Sequence, residues 1–150
     1  MSLLIAASHA CEINYNSSVT TTRITQMWKE KPVTTIFGEN DEKQPLIVFM
    51  HGSTGQIEMY EDVLNLWVTN GFVVSFPYVK SPEKDKSPLT TNTNGEYILR
   101  AIEYVNVQAN SNTSSPLYSR VDTSNIVIAG HSMGATCAIK AGERSETDDR

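Results

Sequence analysis

The chain has 150 residues, 39% hydrophobic and 19% charged, which is the make-up of one soluble globular domain. Its net charge of −5 and pI near 5.1 leave no basic footprint for DNA or RNA, the longest basic cluster being Lys29 and Lys31 around Glu30. No apolar stretch approaches the roughly 20 residues that span a bilayer, so a transmembrane helix is not expected.

The first 19 residues read as a loose leading segment. The short apolar run at residues 3–7 lacks a basic start and falls short of a signal h-region, so it is not read as a signal peptide. Asn16-Ser17-Ser18 and Asn112-Thr113-Ser114 fit the glycosylation pattern, which matters only in a secreted chain, and the compartment stays open. Cys11 and Cys137 are far apart in sequence and suggest neither a disulfide framework nor a metal site; Cys137 reads as a small buried apolar residue.

Residues 20–37 carry β-branched and aromatic residues in broken alternation, with Pro32 between two short runs, and predict an antiparallel pair of leading strands. Residues 38–44 form a polar turn. Leu46-Ile47-Val48-Phe49-Met50, introduced by Pro45, is an unbroken apolar run of strand length, which suits a strand buried on both faces. After the loop His51-Gly52-Ser53-Thr54-Gly55, the i, i+3, i+4, i+7 spacing of Tyr60, Val63, Leu64 and Trp67 predicts a helix stopped by Asn70-Gly71.

Residues 72–76 repeat the buried-strand pattern and Pro77 closes it. Residues 80–94 read as a long polar loop bordering a binding site. Ile98, Ala101, Ile102 and Val105 mark a second helix, and a Ser/Asn/Thr-rich connection then leads through Asp122-Thr123-Ser124, read as a turn, to the strand Ile126-Val127-Ile128-Ala129. Strands alternating with helices predict an α/β fold: a mostly parallel sheet with right-handed crossovers and helices on both faces. The partial domain covers residues 20–142, followed by a polar tail at 143–150.

Gly130-His131-Ser132-Met133-Gly134 follows that last strand and precedes the small-residue helix at 135–141, the context of a nucleophile elbow. A serine hydroxyl is a poor nucleophile near neutral pH and needs a base, an orienting acid and an oxyanion site. Ser132 is the candidate nucleophile. The backbone N–H of Met133 at the start of the helix and that of Ser53 in the loop after the earlier strand are the candidate oxyanion donors, with Thr54 second to Ser53. Tyr78, and more weakly Thr54 and His131, are candidate substrate contacts. His131 is read as packing against the sheet or binding a backbone carbonyl, His51 as stabilising its turn, and His9 as carrying no role. Trp67 reads as core, and Trp28 as core or substrate contact.

The runs VFMHGSTG, Gly71-Phe72-Val73-Val74 and SRVDTSNIVIAGHSMGA together resemble the α/β-hydrolase superfamily. They are most similar to its branch of chlorophyllases, platelet-activating-factor acetylhydrolases and cutinase-type polyester hydrolases. The resemblance covers residues 45–142 and departs at Ala135, where many members carry a further glycine. It implies a serine carboxylic-ester hydrolase working through an acyl-enzyme, on a small-molecule or polymeric ester, without a metal or organic cofactor. In such enzymes the acid and the histidine follow the nucleophile in the chain. The eighteen residues after Ser132 include Glu143, Glu146, Asp148 and Asp149 but no histidine, so the expectation is an N-terminal half with later strands missing. A catalytically silent fragment or binding module is the alternative. The strand at 126–129 would then be an exposed apolar sheet edge open to self-association.

Overall fold

A computed structural model describes residues 19–39, 42–79 and 91–148. The expectations for residues 1–18, including His9, Cys11 and Asn16, and for the loop at 80–90 lie outside the described residues.

Five strands and three helices follow in the order β1 (Thr21–Trp28), β2 (Lys31–Gly38), β3 (Gln44–Met50), a 3-10 turn (Ile57–Tyr60), α1 (Glu61–Thr69), β4 (Val73–Pro77), α2 (Thr91–Asn110), β5 (Val121–Gly130) and α3 (Met133–Asp148). They form one sheet ordered β1-β2-β4-β3-β5. The sheet is mixed, which corrects the expectation of a mostly parallel one: β1 with β2 and β2 with β4 are antiparallel, while β3 lies parallel to both β4 and β5. The β2–β4 pairing joins strands far apart in the chain, and an apolar run buried on both faces carries no mark of its direction.

Those runs explain the layers. In β3, Leu46, Val48 and Met50 enter one core with Ile98, Ala101, Tyr104 and Val105 of α2 and Cys137 and Ala141 of α3. The alternate residues Ile47 and Phe49 enter the opposite core with Leu64 and Val68 of α1 and Phe76 of β4. Period-2 alternation thus commits both faces of β3 to burial, and helices cover both faces as expected. Trp67 packs its ring 5.6 Å from Phe49, in the core. Trp28 lies against Tyr104 at 5.6 Å, with its indole N–H near Glu103.

Four local features differ from expectation. The hairpin turns at Lys29 and Glu30, both with positive φ (47° and 66°), while Pro32 lies inside β2 opposite Met27. Residues 91–94, expected in the loop, are the start of α2, and the acidic stretch after Gly142 continues α3 as far as Asp148. Asp122 to Asn125, expected as a turn before the strand, lie within β5 where its register against β3 shifts: Pro45 faces Asp122 and Leu46 faces Ile126. Asp122 accepts from the Ser124 amide and hydroxyl and from Asn125 Nδ2, and these bonds, led by the Ser124 hydroxyl, lower its pKa. The turn-like side-chain bonding expected of Asp122 is therefore present, inside the irregularity.

Candidate active site

In a parallel arrangement of β3, β4 and β5, residues at the carboxyl ends of the strands share one edge of the sheet, where open α/β sheets bind ligands. β3 ends at Met50 and runs into His51-Gly52-Ser53; β5 ends at Gly130 and runs through His131-Ser132 into α3. The His131 amide donates to the Met50 carbonyl at 3.0 Å, pinning one strand end to the other.

Ser132 has φ 54°, in the left-handed region that a residue with a side chain rarely occupies. The turn is closed by the Gly134 amide donating to the His131 carbonyl (2.8 Å) and the Ala135 amide donating to the Ser132 carbonyl (3.0 Å). Glycines are required on either side because backbone lies on backbone: a Cβ on Gly130 would overlap the Gly134 peptide, and one on Gly134 would overlap the carbonyls of Met50 and His51. Ser132 is exposed at the top of this turn, and its hydroxyl makes no hydrogen bond among the described residues.

The loop after β3 lies directly across from it. A Cβ built on Gly52 would stand 3.4 Å from the Ser132 Cβ and 3.2 Å from His131 Nδ1. Ser53, exposed in that loop, places its hydroxyl 3.6 Å from the Met133 sulfur, so Ser53 and Met133 are neighbours. Both Gly52 polar groups are engaged: its amide donates to the Tyr60 hydroxyl (3.1 Å), and its carbonyl accepts from His51 Nδ1 (2.6 Å) and from the Gly55 amide (3.0 Å). The next amide, that of Ser53, makes no hydrogen bond among the described residues. Thr54 is exposed in the same turn, away from these contacts.

The two described histidines have other partners. His51 is 1% exposed; its Nε2 accepts from the Val79 amide at 3.0 Å, so the proton sits on Nδ1, which donates to Gly52. It joins the ends of β3 and β4 as a neutral ring, stacked 5.5 Å from Phe76 and lying 5.4 Å from Tyr78. Burial lowers its pKa, and the bond to the Gly52 carbonyl only partly opposes this. Below about pH 6.5 the unfolded chain binds a proton at His51 that the folded chain resists, so this contribution is complete above that pH and is lost as pH falls toward the depressed folded value. Denaturation midpoints measured from about pH 7.5 down to about pH 5 are expected to fall for this reason, and more shallowly in His51→Gln. His131 is exposed, with Nδ1 3.1 Å from the Tyr60 hydroxyl, a side-chain partner in place of the expected sheet packing or backbone carbonyl.

Tyr78 is half-buried and lines a cleft of about 370 Å³ with Phe76, Thr25, Pro32, Thr34, Gln56, Ile57 and Glu58. Ser132 is not in its lining; Phe76 of its wall packs 6.1 Å from Tyr60, whose ring lies 5.8 Å from that of His131. Tyr60 is the residue that sequence reasoning missed. It enters the predicted helix stripe only as an apolar position, and its phenol's partners, eight and 71 residues away, leave no sequence signal.

The β5-to-α3 turn thus holds a positive-φ serine opposite a glycine loop at the end of β3. The family model of chlorophyllases matches residues 8–144. The chain belongs to the chlorophyllase family. No curated protein matches it. Membership in the chlorophyllase family places the chain among hydrolases of the α/β-hydrolase type. No helix among the described residues is long and apolar enough to cross a membrane.

Proposed function

We propose that this member of the chlorophyllase family is a serine carboxylic-ester hydrolase in which Ser132 is the nucleophile. The observation that carries the reading is the strained Ser132 backbone at φ 54°, held opposite the Gly52-Ser53 loop. Strain of this kind costs on the order of 1–3 kcal/mol and persists where surrounding structure enforces it, often at reactive sites. Ser132 Oγ attacks the ester carbonyl carbon, and the carbonyl oxygen gains negative charge facing the amides of Ser53 and Met133. The C–O bond to the alcohol then breaks, leaving an acyl-serine that water hydrolyses. The bonds of the two described histidines go to residues other than Ser132, and no base or acid is assigned among the described residues.

Tyr78, with Thr54 and His131, is assigned to the substrate. The cleft beside Tyr78, apolar on its Phe76 and Ile57 side and polar at Thr25, Thr34 and Gln56, suits part of an ester-bearing molecule. The test is labelling by a fluorophosphonate together with turnover of a short-chain nitrophenyl ester. A folded chain that neither labels nor turns over would favour the second reading, a binding module, which the engagement of His51 and His131 elsewhere supports.

Self-association through the edge of β5 is also proposed. Among the described residues β5 pairs only with β3, and Val127 on it is 48% exposed. An apolar unpaired edge is a template for another strand, and a lysine blunts such an edge. Val127→Lys is expected to shift the chain toward monomer in sedimentation velocity; an unchanged distribution of species would remove this proposal.

A further inference from the structure

Across the turn that holds Ser132, the Tyr60 phenol bonds to both sides of the site. Its oxygen accepts the Gly52 amide at 3.1 Å and stands 3.1 Å from His131 Nδ1. Gly52 immediately precedes Ser53, and His131 immediately precedes Ser132. The ring is fixed independently of the hydroxyl: it meets Phe49 edge-on at 5.0 Å, Phe76 at 6.1 Å and the His131 ring at 5.8 Å. Gly55 is shaped around it, since a Cβ there would come within 2.7 Å of the phenol oxygen and 2.9 Å of the ring.

We propose that Tyr60 is a positioning residue whose single hydroxyl ties the residue before the oxyanion amide to the residue before the nucleophile. This rests on the ester-hydrolase reading of Ser132. Two consequences follow from the geometry. By taking the Gly52 amide, Tyr60 leaves Ser53 as the first loop amide available to an ester oxygen, so it selects the donor as well as holding the loop. By standing at His131 Nδ1, it sets the spacing between that donor and Ser132 Oγ. Interactions that fix such spacing act on the transition state, where an error near 1 Å costs up to about 100-fold.

Tyr60→Phe in the full chain keeps the ring contacts and removes the tie. Hydrogen exchange read by NMR is expected to speed up at the Gly52 amide by ~10-fold or more as that amide loses its acceptor. Turnover of the nitrophenyl ester is expected to lose ~10-fold in kcat with KM held within about twofold, a split that general loosening of the fold would not produce. His131→Phe cuts the other end of the tie and keeps a ring against Tyr60, so it decides the matter if Tyr60→Phe does not fold: the same kcat loss with KM held supports the proposal, and a wild-type kcat, or a loss confined to KM as a substrate contact alone would give, overturns it. An unchanged Gly52 exchange rate in folded Tyr60→Phe, or wild-type kcat in that variant, also overturns it. If the wild-type chain has no esterase activity, the ester-hydrolase reading fails by itself, and Gly52 exchange still decides whether Tyr60 holds the loop.

Discussion

Gly134→Ala is expected to cost the chain more than about 4 kcal/mol and to abolish a cooperative melt, because a typical domain is stable by only about 5–15 kcal/mol. Gly134 is buried in the first turn of α3, and the added methyl would overlap the backbone carbonyls of Met50 and His51. Overpacking against side chains can be relieved by a change of rotamer, but here the obstacle is the end of β3. That strand is paired on both sides, with β4 and with β5, and is buried on both faces, so it has no direction in which to move. Moving α3 outward instead would separate Cys137 and Ala141 from the core they share with α2. Thr136→Ala, on the exposed side of the same helix, is the control and is expected to stay within about 0.5 kcal/mol of wild type by thermal melting followed by circular dichroism.

Replacing Ser132 should separate activity from stability. Ser132→Ala is expected to lower esterase kcat by ~1,000-fold or more, since removing a nucleophile leaves only the contribution of binding and the oxyanion site. Its stability should be nearly unchanged, because alanine keeps a Cβ in the same left-handed backbone and the lost hydroxyl has no hydrogen bond among the described residues. Ser132→Gly is expected to be equally inactive but more stable by about 1 kcal/mol, since glycine occupies positive φ without steric cost. Urea midpoints of the two variants measure this difference. Equal stability of the alanine and glycine forms would show that the φ of 54° stores no strain.

Much of this arrangement was readable in the residues. The five-residue run in β3 required burial on both faces, the spacing of Val63, Leu64 and Trp67 required a helical stripe, and Gly130 and Gly134 around Ser132 required a tight turn between strand and helix. Each is a local rule with a short period. What escaped depends on contacts distant in sequence. The hairpin turn at Lys29-Glu30 has neither the glycine nor the asparagine that ordinarily marks two consecutive positive-φ residues. Lys29 is bonded to the Glu103 carboxylate at 2.7 and 2.9 Å, across 74 residues. The antiparallel joining of β2 to β4 is likewise decided by which edges meet, so the apolar pattern alone favoured a parallel sheet. Tyr60 reads as one more apolar helix position, because a phenol's usefulness lies in where its oxygen ends up.

Ser132 is proposed as an acyl acceptor facing the Ser53 and Met133 amides. Incubating the folded chain with a fluorophosphonate and mapping the adduct by mass spectrometry tests it most directly. One phosphonyl group is expected on Ser132, formed as its oxygen displaces fluoride, and none in Ser132→Ala. A folded wild-type chain that stays unlabelled, or that labels at another residue, would contradict it.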